Sequence, residues 1–177
     1  TIYSFGAPTS SSTSQLKIVI RGNTAPAYHP EVTLKGQSTN IGSTAYNDSK
    51  WHHIVLSVNT SSANVYIDGQ NAGTANIGTA TISNTENGAI GARTPSASGG
   101  GFNFDGSISN VAVYNSALSS SQVSTLFNFG TPETNISFSP VGWWKLDNIT
   151  TGIQDSSGNG NNGTNNGTTQ VNSSVAV

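Results

Sequence analysis

"WHHIVLSVNTSSANVYIDGQ", Trp51 to Gln70, decides the fold. Apolar residues recur at every second position: Ile54, Leu56 and Val58 take one face of an extended chain, and Trp51, His53, Val55 and Ser57 take the other. After a polar gap, Val65 and Ile67 repeat the alternation. Asp68-Gly69 follows at once, a dipeptide that accepts the positive φ of a tight hairpin turn. A strand and then a β-hairpin turning at Asp68-Gly69 are predicted.

The same period extends outward in both directions. In "QLKIVIR", Leu16, Ile18 and Ile20 share one face while Lys17 and Arg21 take the other. "GAIGAR" and "FNFDGSISNVAVYN" read as two further strands, the longer one with Gly106 as a bulge or bend. One helix breaks the pattern. "SSSQVSTLF" offers Ser119 as N-cap with Gln122 three residues on, a capping box, and then sets Val123, Leu126 and Phe127 on one face. One short helix among many strands implies an all-β fold of two packed antiparallel sheets. Ile18, Ile20, Ile54, Leu56, Val65, Ile67, Ile108 and Val113 are its predicted core.

The succession "WHHIVLSVNTSSANVYIDGQ", "GAIGAR" and "FDGSISNVAVYNSALSSSQVSTLF" resembles the laminin-G-like, concanavalin-A-like jelly-roll modules over residues 1 to about 130. The resemblance implies a two-sheet antiparallel jelly-roll sandwich that binds or scaffolds without catalysis. Modules of that family open with a "WW.LD" strand and a "DSSGNGNNGT" loop, which here stand near the end, in "VGWWKLDNITTGIQDSSGNGNNGT" from Val141. "TIYSFG" at residue 1 resembles a strand from the middle of a module. The chain is thus out of phase with the family. The expected division is a sandwich over 1–130 lacking the family's first strands, a linker over 131–140, and a module-opening strand and loop over 141–177. That last segment either begins a second module or completes a sandwich, in its own chain or a neighbouring one. As a completing strand it should pair near "ISNVAVYN", with Trp143 and Trp144 on opposite faces.

Composition limits the function. Only 8% of the 177 residues are charged, about a third of the usual share, so hydroxyls and amides must keep the surface wet. Six Lys and Arg residues and a net charge of -2 leave no basic stripe for phosphates, and neither nucleic acid nor a membrane is an expected partner. With no cysteine there is neither a disulfide framework nor a thiolate metal site. No apolar run approaches a membrane span, and no basic-then-apolar leader stands at the start. Methionine is missing even at position 1, so the chain reads as processed or as a piece of something longer.

The parts for catalysis are few. Eight acids, three histidines and no cysteine build no nucleophile elbow, zinc-binding helix, phosphate loop or dinucleotide fingerprint, and no enzyme is expected. His52 and His53, adjacent in a strand, point to opposite faces and cannot share a metal ion, which leaves them structural roles. The best ion signal is "DSSGNGNNG": Asp155, Ser157, Asn159 and Asn161 present oxygens at alternate positions, as the start of a calcium loop does. Where such a loop supplies a bidentate Glu this one has Asn166, so calcium would bind weakly, and an ion-free Asn-Gly turn is the alternative.

Two functions fit. The first is a structural module of an extracellular or virion assembly, such as a phage fibre, capsid or surface filament, whose partners are other subunits or copies of itself, joined by strand complementation. The second is a carbohydrate-binding module of a secreted adhesin or enzyme that takes surface glycans. Trp51, Trp143 and Trp144 sit in strand-like contexts and are expected to be buried, which leaves Tyr28, Tyr46 and Phe102 as candidate sugar-stacking aromatics.

Overall fold

The computed structural model of the chain describes residues 2–5, 16–21, 28–34, 37–76, 88–92, 103–131, 135–148, 150 and 152–169. They fall in two compact units, Thr1–Asp105 and Gly106–Val177.

In the first unit the alternating segments become strands: β1 Tyr3–Phe5, β2 Leu16–Arg21, β3 His29–Leu34, β4 Gln37–Asn40, β5 Ile54–Val58, β6 Ser62–Ile67, β7 Gln70–Asn76 and β8 Gly88–Ile90. They form a five-stranded sheet in the order β4-β3-β2-β1-β8 and a three-stranded sheet in the order β5-β6-β7. Every pairing is antiparallel. Ile18 and Val32 from the first sheet meet Ala63, Val65, Ile67 and Ala75 from the second, with Ile41 among them, in one buried cluster. Ile54 and Leu56 pack half-buried against it, while Ile20 is half-buried. This apolar layer between two sheets makes the fold an all-β sandwich, as the period of two predicts.

The hairpin forms where Asp68-Gly69 predicts it. Ile67 pairs with Gln70, and the two turn residues have φ of 50° and 76°, both positive as a type I′ turn requires. Two features depart from simple alternation. The strand at "WHHIVLSV" begins at Ile54, three residues later than the pattern suggests, because the N–H of His53 is taken by the Asp68 carboxylate at 2.9 Å instead of by a strand partner. The second face of the five-stranded sheet is also covered: His29, Glu31 and Thr33 on β3 and Val19 on β2 are all buried. Thr33 Oγ1 lies 3.4 Å from Glu31 Oε1 and 2.8 Å from Oγ of the exposed Ser38, so the buried hydroxyl and carboxylate have partners.

The second unit holds β9 Val111–Val113, the helix α1 Ser120–Phe127, a 3₁₀ turn Asn128–Gly130 and β10 Gly142–Trp144. The helix starts by the predicted capping box: Ser119 Oγ accepts the Gln122 N–H and Gln122 Oε1 accepts the Ser119 N–H at 2.8 Å. Val123 is fully buried, Leu126 and Phe127 half-buried, and Asn128 ends the helix in the left-handed region at φ 42°. The strand expected over "FNFDGSISNVAVYN" is much shorter than its pattern. Asn103 makes an isolated bridge to Ala92, Asn110 turns to φ 55°, and only Val111–Val113 pairs as a strand, so Ile108 and Val113 are half-buried rather than core.

β10 lies antiparallel to β9, with Gly142, Trp143 and Trp144 opposite Val113, Ala112 and Val111. The flanking bonds Val141 N–H to Val113 O at 2.8 Å and Asn110 N–H to Lys145 O at 3.0 Å extend the ladder. The "VGWWKLD" segment therefore pairs, within its own chain, where a completing strand is predicted to pair.

Candidate functional site

In the first unit, His52 bridges two carboxylates. Its Nδ1 lies 2.8 Å from Asp68 Oδ2 and its Nε2 lies 2.9 Å from Asp48 Oδ1. The backbone explains both contacts. Asp68 occupies the hairpin turn, fixed by its own N–H to His53 O at 2.9 Å and by its Oδ1 on the His53 N–H. Asp48 lies four residues before His52 in the loop leading to β5, where its Oδ1 also accepts the Lys50 N–H at 3.1 Å and its Oδ2 lies 3.4 Å from Lys50 Nζ. The Tyr46 ring meets the imidazole edge-on, with 5.1 Å between centroids and 79° between planes.

The electrostatics follow from these partners. Burial pulls the His52 pKa down, but the hydrogen bonds and charges of Asp68 and Asp48 outweigh it, and the value lies above the ordinary 6.5. The His52 hydrogen bond, helped by Lys50 and opposed by burial, holds Asp48 below 3.8. Next along the chain, burial drives His53 below 6.5 against the charge of Asp68. The three side chains form a hydrogen-bonded clasp between the loop and the hairpin turn.

The aromatic candidates divide. Tyr28, at φ 61°, is 42% exposed and its carbonyl accepts the Tyr46 N–H at 3.0 Å, which brings the two residues together; Tyr46 itself is half-buried against the core cluster. Phe102 lies outside the described residues. Trp51, expected to be buried, is instead 39% exposed, because it precedes β5 in the same loop as Asp48 and Lys50 rather than standing in the strand. The sequence pattern pointed to neither acid as a partner of His52. Asp48 lies in a loop, where a spacing of four residues implies no contact, and Asp68 was legible only as a turn former.

In the second unit, "DSSGNGNNG" wraps the free edge of β10. Asp155 Oδ1 accepts the N–H groups of Trp143 and Ser157, both at 2.9 Å, and Oδ2 accepts the Asn161 N–H at 2.9 Å. Ser157 Oγ, Asn159 Nδ2 and Asn161 Nδ2 all reach the Val141 carbonyl, at 3.3, 3.2 and 2.8 Å. The four residues of the calcium expectation are thus brought into one loop, where their polar atoms bind backbone. Desolvation pushes the Asp155 pKa up, but the Trp143, Ser157 and Asn161 donors prevail and lower it to about 2. Among the described residues, no group of three or more His, Cys, Asp or Glu is placed to hold a metal ion.

Trp143 is 6% exposed, donates Nε1–H to Asn110 Oδ1 at 2.6 Å and carries Lys145 Nζ 4.7 Å from its ring centroid. Trp144 faces the other way, half-buried, and donates Nε1–H to Asn161 O at 2.7 Å. One tryptophan packs inward and the other lies under the loop, as alternation predicts. Beside them a cavity of about 280 Å³ is lined by residues 145–148, 153, 154 and 156, with Lys145, Asp147 and Ser156 as its charged and hydroxyl side chains.

Comparison with known proteins agrees with this architecture. The native heptameric SAP-like pentraxin from Limulus polyphemus is 18% identical, with a TM-score of 0.55 over 71% of this chain and 61% of that one. An S-layer domain-containing protein from Clostridium thermocellum is 19% identical over 72% of this chain and 64% of its own, with a TM-score of 0.38. The chain spans less than two thirds of either structure, and at such identity the pentraxin shows likeness of fold alone. No curated protein matches the sequence. Residues 2–124, which hold both sheets of the first unit, the Asp68-Gly69 hairpin and the start of the capped helix, match the Laminin_G_3 model, and the chain belongs to that family of the concanavalin A-like lectin/glucanases superfamily.

Proposed function

We propose that this chain is a non-catalytic structural module of an extracellular or virion-surface assembly, and that its partners are copies of itself or neighbouring subunits. The carrying observation is the closed edge at β10: β9 occupies one side of it, and the Asp155 loop takes the Trp143 N–H and, through the Ser156 N–H at 2.6 Å, the Trp143 carbonyl on the other. A strand sealed on both edges is protected against indiscriminate sheet-to-sheet growth, which a subunit crowded among copies of itself must avoid. Residues 141–177 act in this reading as a module-opening segment that returns to the module before it, with 131–140 as linker. Among the described residues no helix is long and apolar enough to cross a membrane. Sedimentation velocity of the chain over a range of concentrations tests the reading. Reversible self-association, or association with the adjoining subunit, is expected; a chain that stays monomeric and binds no adjoining subunit overturns it.

A second reading, a carbohydrate-binding module, is favoured by the exposure of Tyr28 and Trp51 together with the exposed acid Asp48. Flat aromatic faces stack on sugar rings, and carboxylates bind hydroxyls. A glycan array decides it: specific binding abolished by Trp51→Ala and Tyr28→Ala supports the sugar reading, and a blank array rejects it. Calcium belongs to either reading only at the Asp155 loop. One carboxylate whose Oδ1 already accepts two N–H groups implies roughly millimolar affinity, so the melting midpoint should rise only at such concentrations and not at all in Asp155→Ala.

A further inference from the structure

We infer that His52 is a proton-operated clasp: its charged form ties the loop from Tyr46 to Lys50 to the Asp68-Gly69 hairpin turn, and its neutral form lets the loop go at the Asp48 end. An imidazolium has two N–H donors, and here each nitrogen lies within 2.9 Å of an ionisable carboxylate, an acceptor only. A neutral imidazole has one. Its second nitrogen would then turn a lone pair toward a carboxylate oxygen at hydrogen-bond distance, where attraction becomes repulsion.

The surroundings decide which contact breaks. Asp68 is pinned at the turn by its own N–H to His53 O and by the His53 N–H on its Oδ1, so it cannot swing away without opening the end of the hairpin. The two acids are equally exposed, their side chains at 40% and 38%, but Asp48 lies in a loop and has an alternative partner, with Lys50 Nζ 3.4 Å from its other oxygen. The neutral form therefore keeps Nδ1–H on Asp68 and gives up Asp48. The His52 side chain is only 15% exposed, so water cannot readily replace the lost partner.

The described titratable groups around the ring are Tyr46, Asp48 and Lys50 from the loop, Asp68 from the turn and His53 next in the chain. His52 gains its partners on folding, so its folded pKa is raised, and the clasp is fully formed below 6.5 and lost as pH rises through the raised value. His53 has the opposite sign. Its folded pKa lies below 6.5, so acidification costs stability there, and a global melting curve would mix the two histidines. Because the loop also carries the Tyr46 N–H that binds Tyr28 O, release weakens the tie between the two tyrosines. The ambient pH would then set the order of this aromatic, acidic loop.

The test is local. In the intact protein, histidine ring NMR from about pH 5 to 9 gives the His52 titration and tautomer, and hydrogen exchange gives protection factors for the amides of residues 46–50. His52 should titrate above the ordinary histidine value and keep Nδ1–H when neutral, and loop protection should fall on the order of tenfold through that same titration. Asp48→Ala should lower the His52 pKa and leave the loop open at every pH, with the core amides of β6 still protected. His52→Gln should remove the pH dependence. A His52 pKa at or below the ordinary value, an Nε2–H tautomer, or loop protection that ignores the titration overturns the inference.

Discussion

Asp155 shows how one side chain can fix an irregular segment. A run of Ser, Gly and Asn has no apolar face to bury, so its order must come from hydrogen bonds, and a single carboxylate supplies acceptors for the N–H groups of Trp143, Ser157 and Asn161. The folded pKa of about 2 lies below the ordinary 3.8, so this stabilisation is complete above pH 3.8 and is lost as pH falls toward 2. Asp155→Asn should flatten the acid limb of the melting midpoint between those values and cost about 1 kcal/mol at neutral pH, since the group is partly solvated. A variant with the same acid limb as the parent would show that the loop is held by its amides alone. Gly142 is a second such position: a Cβ there would lie 2.5 Å from Trp144 Cη2, and the indole is tethered to Asn161 O. Gly142→Ala should expel Trp144, giving a red-shifted tryptophan emission and a lower midpoint; unchanged emission would mean that the ring repacks in place. Neither role could be read from residue spacing. "DSSGNGNNG" advertised a turn and an echo of a calcium loop, but a carboxylate that binds backbone looks the same in sequence as one that binds an ion.

Elements were legible where local chemistry and tertiary demand coincide. The Asp68-Gly69 hairpin and the Ser119 capping box form as read, because each is determined within a few residues by φ preference or by reciprocal side-chain bonds. Strand faces were less legible. Alternation assumes one wet face, and His29, Glu31 and Thr33 break that assumption by being buried on the side opposite Val32. Trp51 was misplaced for a related reason, since a side-chain bond from Asp68 ends the ladder before the tryptophan is reached. The helix offers a direct check. Ser119→Ala removes the hydroxyl half of the capping box, the acceptor for the Gln122 N–H, and should cost about 0.5–2 kcal/mol, while Ser120→Ala, one residue into the helix, should be nearly silent. Equal effects of the two substitutions would assign the cost to general loss of hydroxyls.

At the scale of the whole chain, the informative fact is that a segment resembling the opening of a module lies beside β9, a strand that precedes it by about thirty residues. Trp143 anchors that return. It is 6% exposed, bonded to Asn110 and covered by Lys145, so Trp143→Ala should cost about 3–5 kcal/mol, well beyond what a surface aromatic contributes. Removing residues 141–177 altogether strips β9 of its partner and leaves its N–H and C=O groups open to any other edge. The truncated chain should elute as aggregate or higher oligomer in size-exclusion chromatography and melt at lower temperature than the parent. Alternatively, the tail is the detached start of another module and only rests against β9, in which case the remainder stays soluble and equally stable. A monomer peak with unaltered melting would therefore reject the returning strand, and with it the closed edge on which the proposed place in an assembly depends.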